Sequence, residues 1–450
     1  MLEVINPATE EVIETMGSAT VEDADEAVSR AKAAFPKWKS IEPADRVKML
    51  RRLAEALDSE RENLARLESR NTGKPISEAL GEMGMVAETF HYYAGMPERV
   101  LGDTIPVSGG IDMTFREPLG VVALIVPWNF PLTIASWKMA PALAAGNTIV
   151  LKPAELTPLT AARFERIAKE AGIPEGVVNV VVGPGSSVGQ RLAEHPDVAK
   201  VAFTGSTDVG RRVMEAASGT IKRVTLELGG KSANIVFADA DLERAAASAP
   251  SGFLGNAGQD CCARSRILVQ KTAMDDFMSL LETAVKNVRV GNPADSDTEM
   301  GPLISASHRE KVASFVPDDA PVAFRGDAPG GSGFWFAPTV LAPVSNDDHA
   351  AREEIFGPVA AVIPFEDEAD AVRLANDTIY GLSGSVWTRD GAKALRVARA
   401  VDTGVISINS NTSVRVATPF GGFKQSGVGR ELGPHALDHY TEVKNVYFAL

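Results

Sequence analysis

Apolar residues recur at helical spacing over the first 70 residues of the chain. Between residues 21 and 35 they stand three or four positions apart, and Thr20 and Asp23, whose side chains can cap a helix, stand at the start of this run. A second run with the same spacing extends from Arg46 to Ser69. Because residues three and four positions apart lie on one face of a helix, the pattern predicts that residues 21–70 are helical.

From residue 120 onward the pattern changes to short, continuous apolar runs that alternate with helical segments. Such runs are typical of parallel strands buried on both faces, and the alternation predicts βαβ units. One set of runs precedes residue 230 and a second set follows it, which predicts two α/β domains with doubly wound parallel sheets. The runs cover residues 121–126, 148–151, 177–182, 201–203, 234–237, 267–269, 359–363 and 404–408.

Two segments at the margins of these domains have the pattern of exposed strands. Residues 101–118 predict a hairpin, and residues 443–448 predict one further strand. Exposed strand edges promote aggregation unless another subunit covers them, so these segments favour an oligomer. The predicted division is a first α/β domain over residues 1–100 and 119–229, a second over residues 230–430, and a small β arm over residues 101–118 and 431–450.

The composition limits the class of protein. At 450 residues the chain is longer than one hydrophobic core usually supports, in agreement with more than one domain. The formal net charge of −14 argues against nucleic acid and anionic membranes as partners, because both attract positive potential. The N-terminus lacks a signal-peptide pattern, and the apolar stretches are too short to span a bilayer. We therefore expect a cytoplasmic protein that binds neither membranes nor nucleic acid.

The chain has only two cysteines, and they are adjacent, at Cys261 and Cys262. Adjacent cysteines cannot easily form a disulfide with each other, and they lack the partner pairs of a structural zinc site. His435 and His439 stand four residues apart but without the glutamate of a metalloprotease motif between them, so we predict no metal. From the residues alone, a reactive thiol and an inert buried thiol both remain open.

Seven motifs along the chain form a set. Together they closely resemble the aldehyde dehydrogenase superfamily, in the family's order and over essentially the whole chain. The motifs lie at residues 127–131 (PWNFP), 152–155 (KPAE), 203–206 (FTGS), 227–231 (ELGGK), 258–261 (GQDC), 354–358 (EIFGP) and 419–431, which begins PFGG and ends GRE.

The resemblance implies an enzyme that oxidises an aldehyde to a carboxylic acid. In this family Cys261 would be the nucleophile, whose thiolate forms a thiohemiacetal that becomes a thioester when hydride leaves to a nicotinamide. Asn129 would stabilise the oxyanion, and Glu227 would be the general base that hydrolyses the thioester. Lys138 and Glu431 match a lysine and a carboxylate thought to relay protons.

Two alternatives remain beside this interpretation. Relatives that transfer the acyl group to coenzyme A generally lack the glutamate, so Glu227 favours hydrolysis over a coenzyme A-acylating semialdehyde dehydrogenase. A non-catalytic scaffold on the same fold would have no need to combine Cys261, Glu227 and Asn129. Cys262, the neighbour of the nucleophile, is predicted to have a packing role.

The resemblance also implies a cofactor. Lys152 and Glu155 match residues that bind the adenosine ribose, and a carboxylate at Glu155 would repel a 2′-phosphate, so NAD is preferred over NADP. The first domain would therefore bind NAD, the second would be catalytic, and the β arm would join subunits into a homodimer or homotetramer. The other residues implied for the cofactor are Trp128, Gly205, Ser206, Gly229, Glu354 and Phe356.

The sequence leaves three substrate classes open. Asp260, directly before the nucleophile, could attract an aminoaldehyde or a quaternary ammonium aldehyde, whereas Arg264 or Arg415 could pair with the carboxylate of a semialdehyde. Alternatively, Asp260 pairs with one of these arginines and the channel takes ordinary aldehydes. Aromatic residues in the channel would add cation–π attraction to a cationic substrate. The positions implied for the channel are Phe130, Thr133, Ile134, Trp137, Asp260, Cys262 and the segment from Thr412 to Phe420.

Overall fold

The structure is a computed structural model that describes residues 1–412 and 414–450, and it has the predicted α/β fold. The α-helices are α1 (Val21–Lys39), α2 (Pro43–Ser59), α3 (Arg61–Thr72), α4 (Ile76–Ala94), α5 (Pro131–Ala145), α6 (Leu159–Glu170), α7 (Gln190–Glu194), α8 (Thr207–Ser218), α9 (Leu242–Phe253), α10 (Met274–Lys286), α11 (Ala306–Ala313), α12 (His349–Arg352), α13 (Glu368–Asn376) and α14 (Gly391–Ala400). The strands are β1 (Leu2–Ile5), β2 (Val12–Met16), β3 (Thr104–Val107), β4 (Gly110–Pro118), β5 (Val121–Ile125), β6 (Thr148–Lys152), β7 (Val178–Val180), β8 (Val198–Thr204), β9 (Arg223–Glu227), β10 (Ala233–Val236), β11 (Arg266–Gln270), β12 (Val322–Arg325), β13 (Thr339–Leu341), β14 (Val359–Phe365), β15 (Ser383–Trp387), β16 (Val405–Ile408), β17 (Gly427–Val428) and β18 (Thr441–Ala449).

The helical region predicted over residues 21–70 consists of three helices, α1 to α3. Thr20 and Asp23 form a reciprocal capping box that starts α1. The chain leaves helical geometry between α1 and α2, where Pro43 opens the second helix, and Gly73 ends α3 in a left-handed conformation with φ 80°. The apolar stripe of α2 is buried against α4, as the spacing predicts.

Two parallel sheets follow, and each is extended by one antiparallel strand. The first has the order β17-β9-β8-β5-β6-β7, and its antiparallel strand is β17. The second has the order β12-β13-β14-β11-β10-β15-β16, and its antiparallel strand is β12. Because β17 comes from residues 427–428, a segment within the range predicted for the second domain completes the sheet of the first.

The predicted hairpin and C-terminal strand form a separate antiparallel sheet of order β18-β4-β3. Apolar side chains on this sheet are exposed, among them Phe115, Val443, Tyr447 and Phe448. In a single chain this sheet therefore presents apolar side chains to solvent. The homodimer or homotetramer stays a prediction. Ahead of β18, Tyr440 packs into the core that also contains α5.

A two-stranded hairpin of β1 and β2 lies at the N-terminus, where the sequence predicts no element. Only Val4 of its nine residues is buried, and the rest are exposed or partly exposed, so no apolar pattern indicates the hairpin. Among the residues that the structure describes, no helix combines the length and apolarity needed to cross a bilayer.

Candidate active site

The loop that carries Cys261 lies between α9 and β11 and has an unusual backbone. Asn256, Ala257 and Gly258 all have positive φ, at 50°, 55° and 71°. Left-handed backbone is costly for residues with a Cβ, so surrounding contacts must hold the loop in this shape. At Gly258 a Cβ would stand 2.2 Å from the carbonyl oxygen of Gly357, so only glycine fits. Close packing therefore fixes the position of Cys261.

The Cys261 thiol lies among groups that keep it protonated. Its Sγ, the Sγ of Cys262 and a carboxylate oxygen of Asp260 lie within 4.8 Å of one another. The neighbouring Cys262 thiol, together with burial and nearby negative charge, raises the pKa of Cys261 above its usual range. Cys262 is itself buried, and its backbone N–H donates to Asp260 Oδ1 at 2.8 Å. Formation of the Cys261 thiolate therefore requires a base or a change in the charge around this loop.

Asn129 follows β5 and is held on both its side chain and its backbone. Its side-chain amide donates to the carbonyl oxygen of Gln259 at 2.9 Å. Its own carbonyl oxygen accepts hydrogen bonds from Lys74 Nζ at 3.0 Å and from Asn256 Nδ2 at 2.9 Å. Helix α5, which starts two residues later, has no side-chain cap, so Asn129 does not serve as one. An amide has two N–H groups, and one of them remains for another acceptor.

Glu227 ends β9 and is buried without a hydrogen-bond partner. The residue is only 3% exposed, and neither of its carboxylate oxygens accepts a hydrogen bond from the described residues. Burial, followed by repulsion from Glu431, raises the pKa of Glu227 well above its usual range. Glu431 forms a buried ion pair with Lys138. A carboxyl group with a raised pKa is suited to proton transfer near neutral pH.

A cavity of about 270 Å³ joins the thiol to Glu227 and to the predicted substrate residues. Trp137 and Phe420 pack edge to face in its wall, with ring centroids 5.2 Å apart. Arg264 also lines the cavity and donates to the carbonyl oxygen of Cys262 at 2.8 Å, whereas Arg415 is exposed and lies outside the wall. The predicted residues in the wall are Phe130, Thr133, Ile134, Trp137, Glu227, Asp260, Cys261, Cys262, Thr412, Phe420 and Glu431.

The residues predicted for the cofactor line two adjoining cavities of about 200 and 500 Å³. The two cavities share Trp128, Gly205 and Ser206, so they form a continuous surface that ends at the thiol. Ser206 is the N-cap of α8, and its hydroxyl accepts a hydrogen bond from the backbone of that helix. The smaller cavity also contains Asn129, Gly229, Cys261, Glu354 and Phe356, and the larger one contains Lys152 and Glu155.

The carboxylates at the two ends of this surface have different surroundings. Glu155 Oε2 accepts a hydrogen bond from the backbone N–H of Gly185 at 3.1 Å. Glu354 Oε1 accepts one from the N–H of Gly230 at 2.9 Å, and burial raises the pKa of Glu354 to about 7. At Gly229 a Cβ would stand 2.5 Å from Glu354 Oε2, so this carboxyl group packs directly on the backbone.

Comparison with known proteins identifies this arrangement. The model of the aldehyde dehydrogenase family matches residues 1–446. The chain belongs to the aldehyde dehydrogenase family. It is 44% identical over 456 residues to betaine aldehyde dehydrogenase of Bacillus subtilis (strain 168), covering 99% of this chain and 93% of the relative. It is 43% identical to human cytosolic 10-formyltetrahydrofolate dehydrogenase, covering 99% of this chain and 51% of that longer protein. The predicted family and enzyme class are thus confirmed.

Solved structures agree with this family assignment. Betaine aldehyde dehydrogenase from Staphylococcus aureus, in complex with NAD⁺, is 41% identical with a TM-score of 0.97, covering 99% of this chain and 91% of that chain. PnpE from Pseudomonas sp. WBC-3 is 44% identical with a TM-score of 0.97, covering 100% of this chain and 94% of that chain.

Four charged or titratable residues of this aldehyde dehydrogenase were not predicted from the sequence. Glu82 lines the cavity of about 270 Å³ and pairs with the buried Lys74, whose Nζ also lies 4.3 Å from the centroid of the Phe130 ring. His308 and Lys311 line the cavity of about 200 Å³. The sequence gives no local indication of these residues, because a single lysine, glutamate or histidine is most often exposed on the surface and only the fold shows that it lies at the site.

Proposed function

We propose that this chain oxidises a small cationic aldehyde, such as an aminoaldehyde or betaine aldehyde, to its carboxylic acid with NAD. The observation that carries the proposal is one cavity in which Cys261 and Glu227 stand beside the carboxylate of Asp260. The aromatic wall of that cavity would add cation–π attraction of about 0.5–2 kcal/mol. The B. subtilis and S. aureus relatives named betaine aldehyde dehydrogenase support the same substrate class.

The chemistry begins at Cys261. Its thiol first releases a proton to water in the cavity, the thiolate adds to the aldehyde carbon, and the carbonyl oxygen takes up the negative charge as a new C–S bond forms. The Asn129 amide already uses one N–H to bind Gln259, which orients the amide and leaves the other N–H for this oxygen. A donor fixed before the reaction needs no reorganisation, and one such donor is typically worth about 10²–10³ in rate.

Glu227 would complete the reaction. Once hydride has left, the acyl group is attached to the Cys261 sulfur as a thioester, and water must attack its carbonyl carbon. Glu227 lines the same cavity, so its carboxylate can take a proton from that water while the C–S bond breaks and the thiolate leaves. The ion pair of Lys138 and Glu431 stands next to Glu227 and offers a route for that proton away from the cavity.

The residues of the two cofactor cavities fit NAD. Carboxylates accept hydrogen bonds from ribose hydroxyls, and Glu155 and Glu354 place one at each end of the surface. Lys152 would join Glu155 at the adenosine end, and Phe356 would join Glu354 at the nicotinamide end. When bound, NAD supplies the ring that accepts the hydride.

Replacing Glu155 with glutamine should raise kcat/KM for NADP relative to NAD about 10-fold. The change removes the negative charge that would repel a 2′-phosphate and keeps a group that can accept from ribose. Initial rates with both cofactors, at one aldehyde concentration, measure this ratio. Glu170→Gln, on the exposed end of α6, is the matched control and should leave the ratio unchanged. An unchanged ratio in Glu155→Gln would mean that another residue sets the preference.

Replacing Asp260 with asparagine should lower the preference for a cationic substrate about 10-fold. Lys74 pairs with Glu82, whereas Asp260 has Arg264 as a cationic neighbour, so the substitution tests whether the Asp260 charge still acts on the substrate. The measurement is kcat/KM for betaine aldehyde divided by kcat/KM for 3,3-dimethylbutanal, which has the same shape without the charge. The ratio cancels any effect of the substitution on Cys261 itself. If both values fall equally, Asp260 supports the thiol and does not select the substrate.

A further inference from the structure

The two cysteines and Asp260 form a compact group of metal-binding atoms. The Sγ atoms of Cys261 and Cys262 and a carboxylate oxygen of Asp260 all lie within 4.8 Å of one another. Adjacent side chains in a strand point to opposite faces, but here the chain turns, since the N–H of Ala263 donates to the carbonyl oxygen of Asp260 at 3.0 Å. The turn therefore directs three neighbouring side chains toward one point.

We propose that Asp260, Cys261 and Cys262 bind a soft divalent metal ion of the zinc group, Zn²⁺ or Cd²⁺, inside the substrate cavity. Thiolates are the preferred ligands of these ions, and a carboxylate is an accepted third ligand. Binding replaces two S–H bonds with two metal–sulfur bonds and releases two protons, so nothing is oxidised or reduced.

The charges around the group favour such an ion. Two thiolates and one carboxylate carry three negative charges, and the ion with the guanidinium of Arg264 supplies three positive ones. Arg264 is held at this point by the hydrogen bond from its Nη1 to the carbonyl oxygen of Cys262. The complex is therefore neutral, which limits the cost of placing an ion in a largely enclosed cavity.

The ligand count indicates an exchangeable site. Three protein ligands leave one position of a tetrahedral ion open to the cavity, whereas structural zinc sites use four. All three residues line the cavity of about 270 Å³, so an ion can enter and leave by the substrate path. If the proposed function is right, the bound ion removes the nucleophile and inhibits aldehyde oxidation reversibly.

The test uses the full chain, treated with a chelator and then titrated with Cd²⁺ alone. Cadmium–thiolate bonds absorb in the ultraviolet, and the chain has only two cysteines, so the signal can come only from this pair. We expect one ion per chain. Cys262→Ser should bind at least about 100-fold more weakly and lose about half of the absorbance, because one of the two metal–sulfur bonds is gone. Asp260→Asn should bind more weakly with the absorbance unchanged.

Alkylation of Cys261 by iodoacetamide gives an independent readout that needs neither aldehyde nor cofactor. In the unmodified chain, one equivalent of Cd²⁺ should slow alkylation strongly, and a chelator should restore it. Absence of thiolate absorbance at one equivalent, or equal affinity in Cys262→Ser, would overturn the proposal. Metal binding by a chain that oxidises no aldehyde would leave the site standing and reject only the proposed function.

Discussion

The Cys261→Ser variant is expected to lose aldehyde oxidation by about 10⁴-fold or more in kcat. A serine hydroxyl is a far weaker nucleophile than a thiolate at neutral pH, and Cys261 is the sulfur that the smaller cofactor cavity and the substrate cavity have in common. The measurement is NADH formation at saturating aldehyde. Binding of NAD, followed by quenching of tryptophan fluorescence, should persist, because the cofactor surface is intact.

Cys262→Ser is the matched control for the thiol. It changes the neighbouring cysteine in the same way and leaves Cys261 in place, so we expect kcat to stay within about 10-fold of the unmodified chain. If Cys262→Ser lost activity and Cys261→Ser kept it, the nucleophile would be Cys262 and our assignment to Cys261 would be wrong. If both variants kept their activity, the oxidation would need no thiol, and the mechanism would be contradicted.

The Glu227→Gln variant should stop after the first half of the reaction. We expect steady-state kcat to fall about 10²–10⁴-fold, the usual contribution of a general base. One equivalent of NADH should still appear in a rapid burst, because formation of the thioester does not need Glu227. Stopped-flow absorbance measures the burst, and the mass of the intact protein should show the acyl group retained on Cys261.

The pH dependence of kcat gives a second measure of the same role. Burial raises the pKa of Glu227, so its carboxyl group loses its proton only well above the range of an ordinary glutamate. The unprotonated form is the base, so kcat should rise with pH through that raised pKa and then level off. In Glu227→Gln this rise should vanish. If Glu227→Gln lost the initial burst of NADH as well as its steady-state rate, Glu227 would act before the thioester forms.

Added coenzyme A separates hydrolysis from acyl transfer in the same variant. If water is the acceptor, coenzyme A should neither speed the turnover of Glu227→Gln nor appear in the product. Release of an acyl-coenzyme A from the unmodified chain would favour the coenzyme A-acylating alternative, whatever the effect of the substitution.

The predicted strands of the two sheets were short, continuous apolar runs, and eight of the thirteen described strands of these sheets were found in this way. Strands such as β9 (RVTLE) and β15 (SGSVW) were missed, because polar residues or glycine interrupt their apolar residues although β15 is wholly buried. The two helical runs within residues 21–70 left a gap where α1 ends and α2 begins, but the break between α2 and α3 was not predicted, because it consists of the single residue Glu60 and leaves the apolar spacing almost unchanged. The N-terminal hairpin was missed because only one of its nine residues is buried, and strands without a buried face show no regular alternation of apolar and polar residues.

The site residues came from motifs, but the contacts that support them are long-range. Lys74 and Asn256 both donate to the carbonyl oxygen of Asn129 across 55 and 127 residues of sequence. Every residue has a backbone carbonyl oxygen, so the type of the accepting residue does not indicate such a hydrogen bond and sequence patterns cannot predict it. The ion pair of Lys74 with Glu82 could not be predicted either, because each of these residues, taken alone in the sequence, would be expected to be exposed to solvent.

Strand β17 has a consequence for how the protein is made. Gly427 pairs with Glu227 across 200 residues, and Glu431, next to that strand, supplies the charge that acts on Glu227. Synthesis proceeds from the N-terminus at about 5–20 residues per second, so a ribosome completes Cys261 and Glu227 many seconds before the segment that encloses them. During that interval the nascent chain carries an unfinished sheet edge at β9, the strand that Glu227 ends, because the segment that closes this edge has not yet been made.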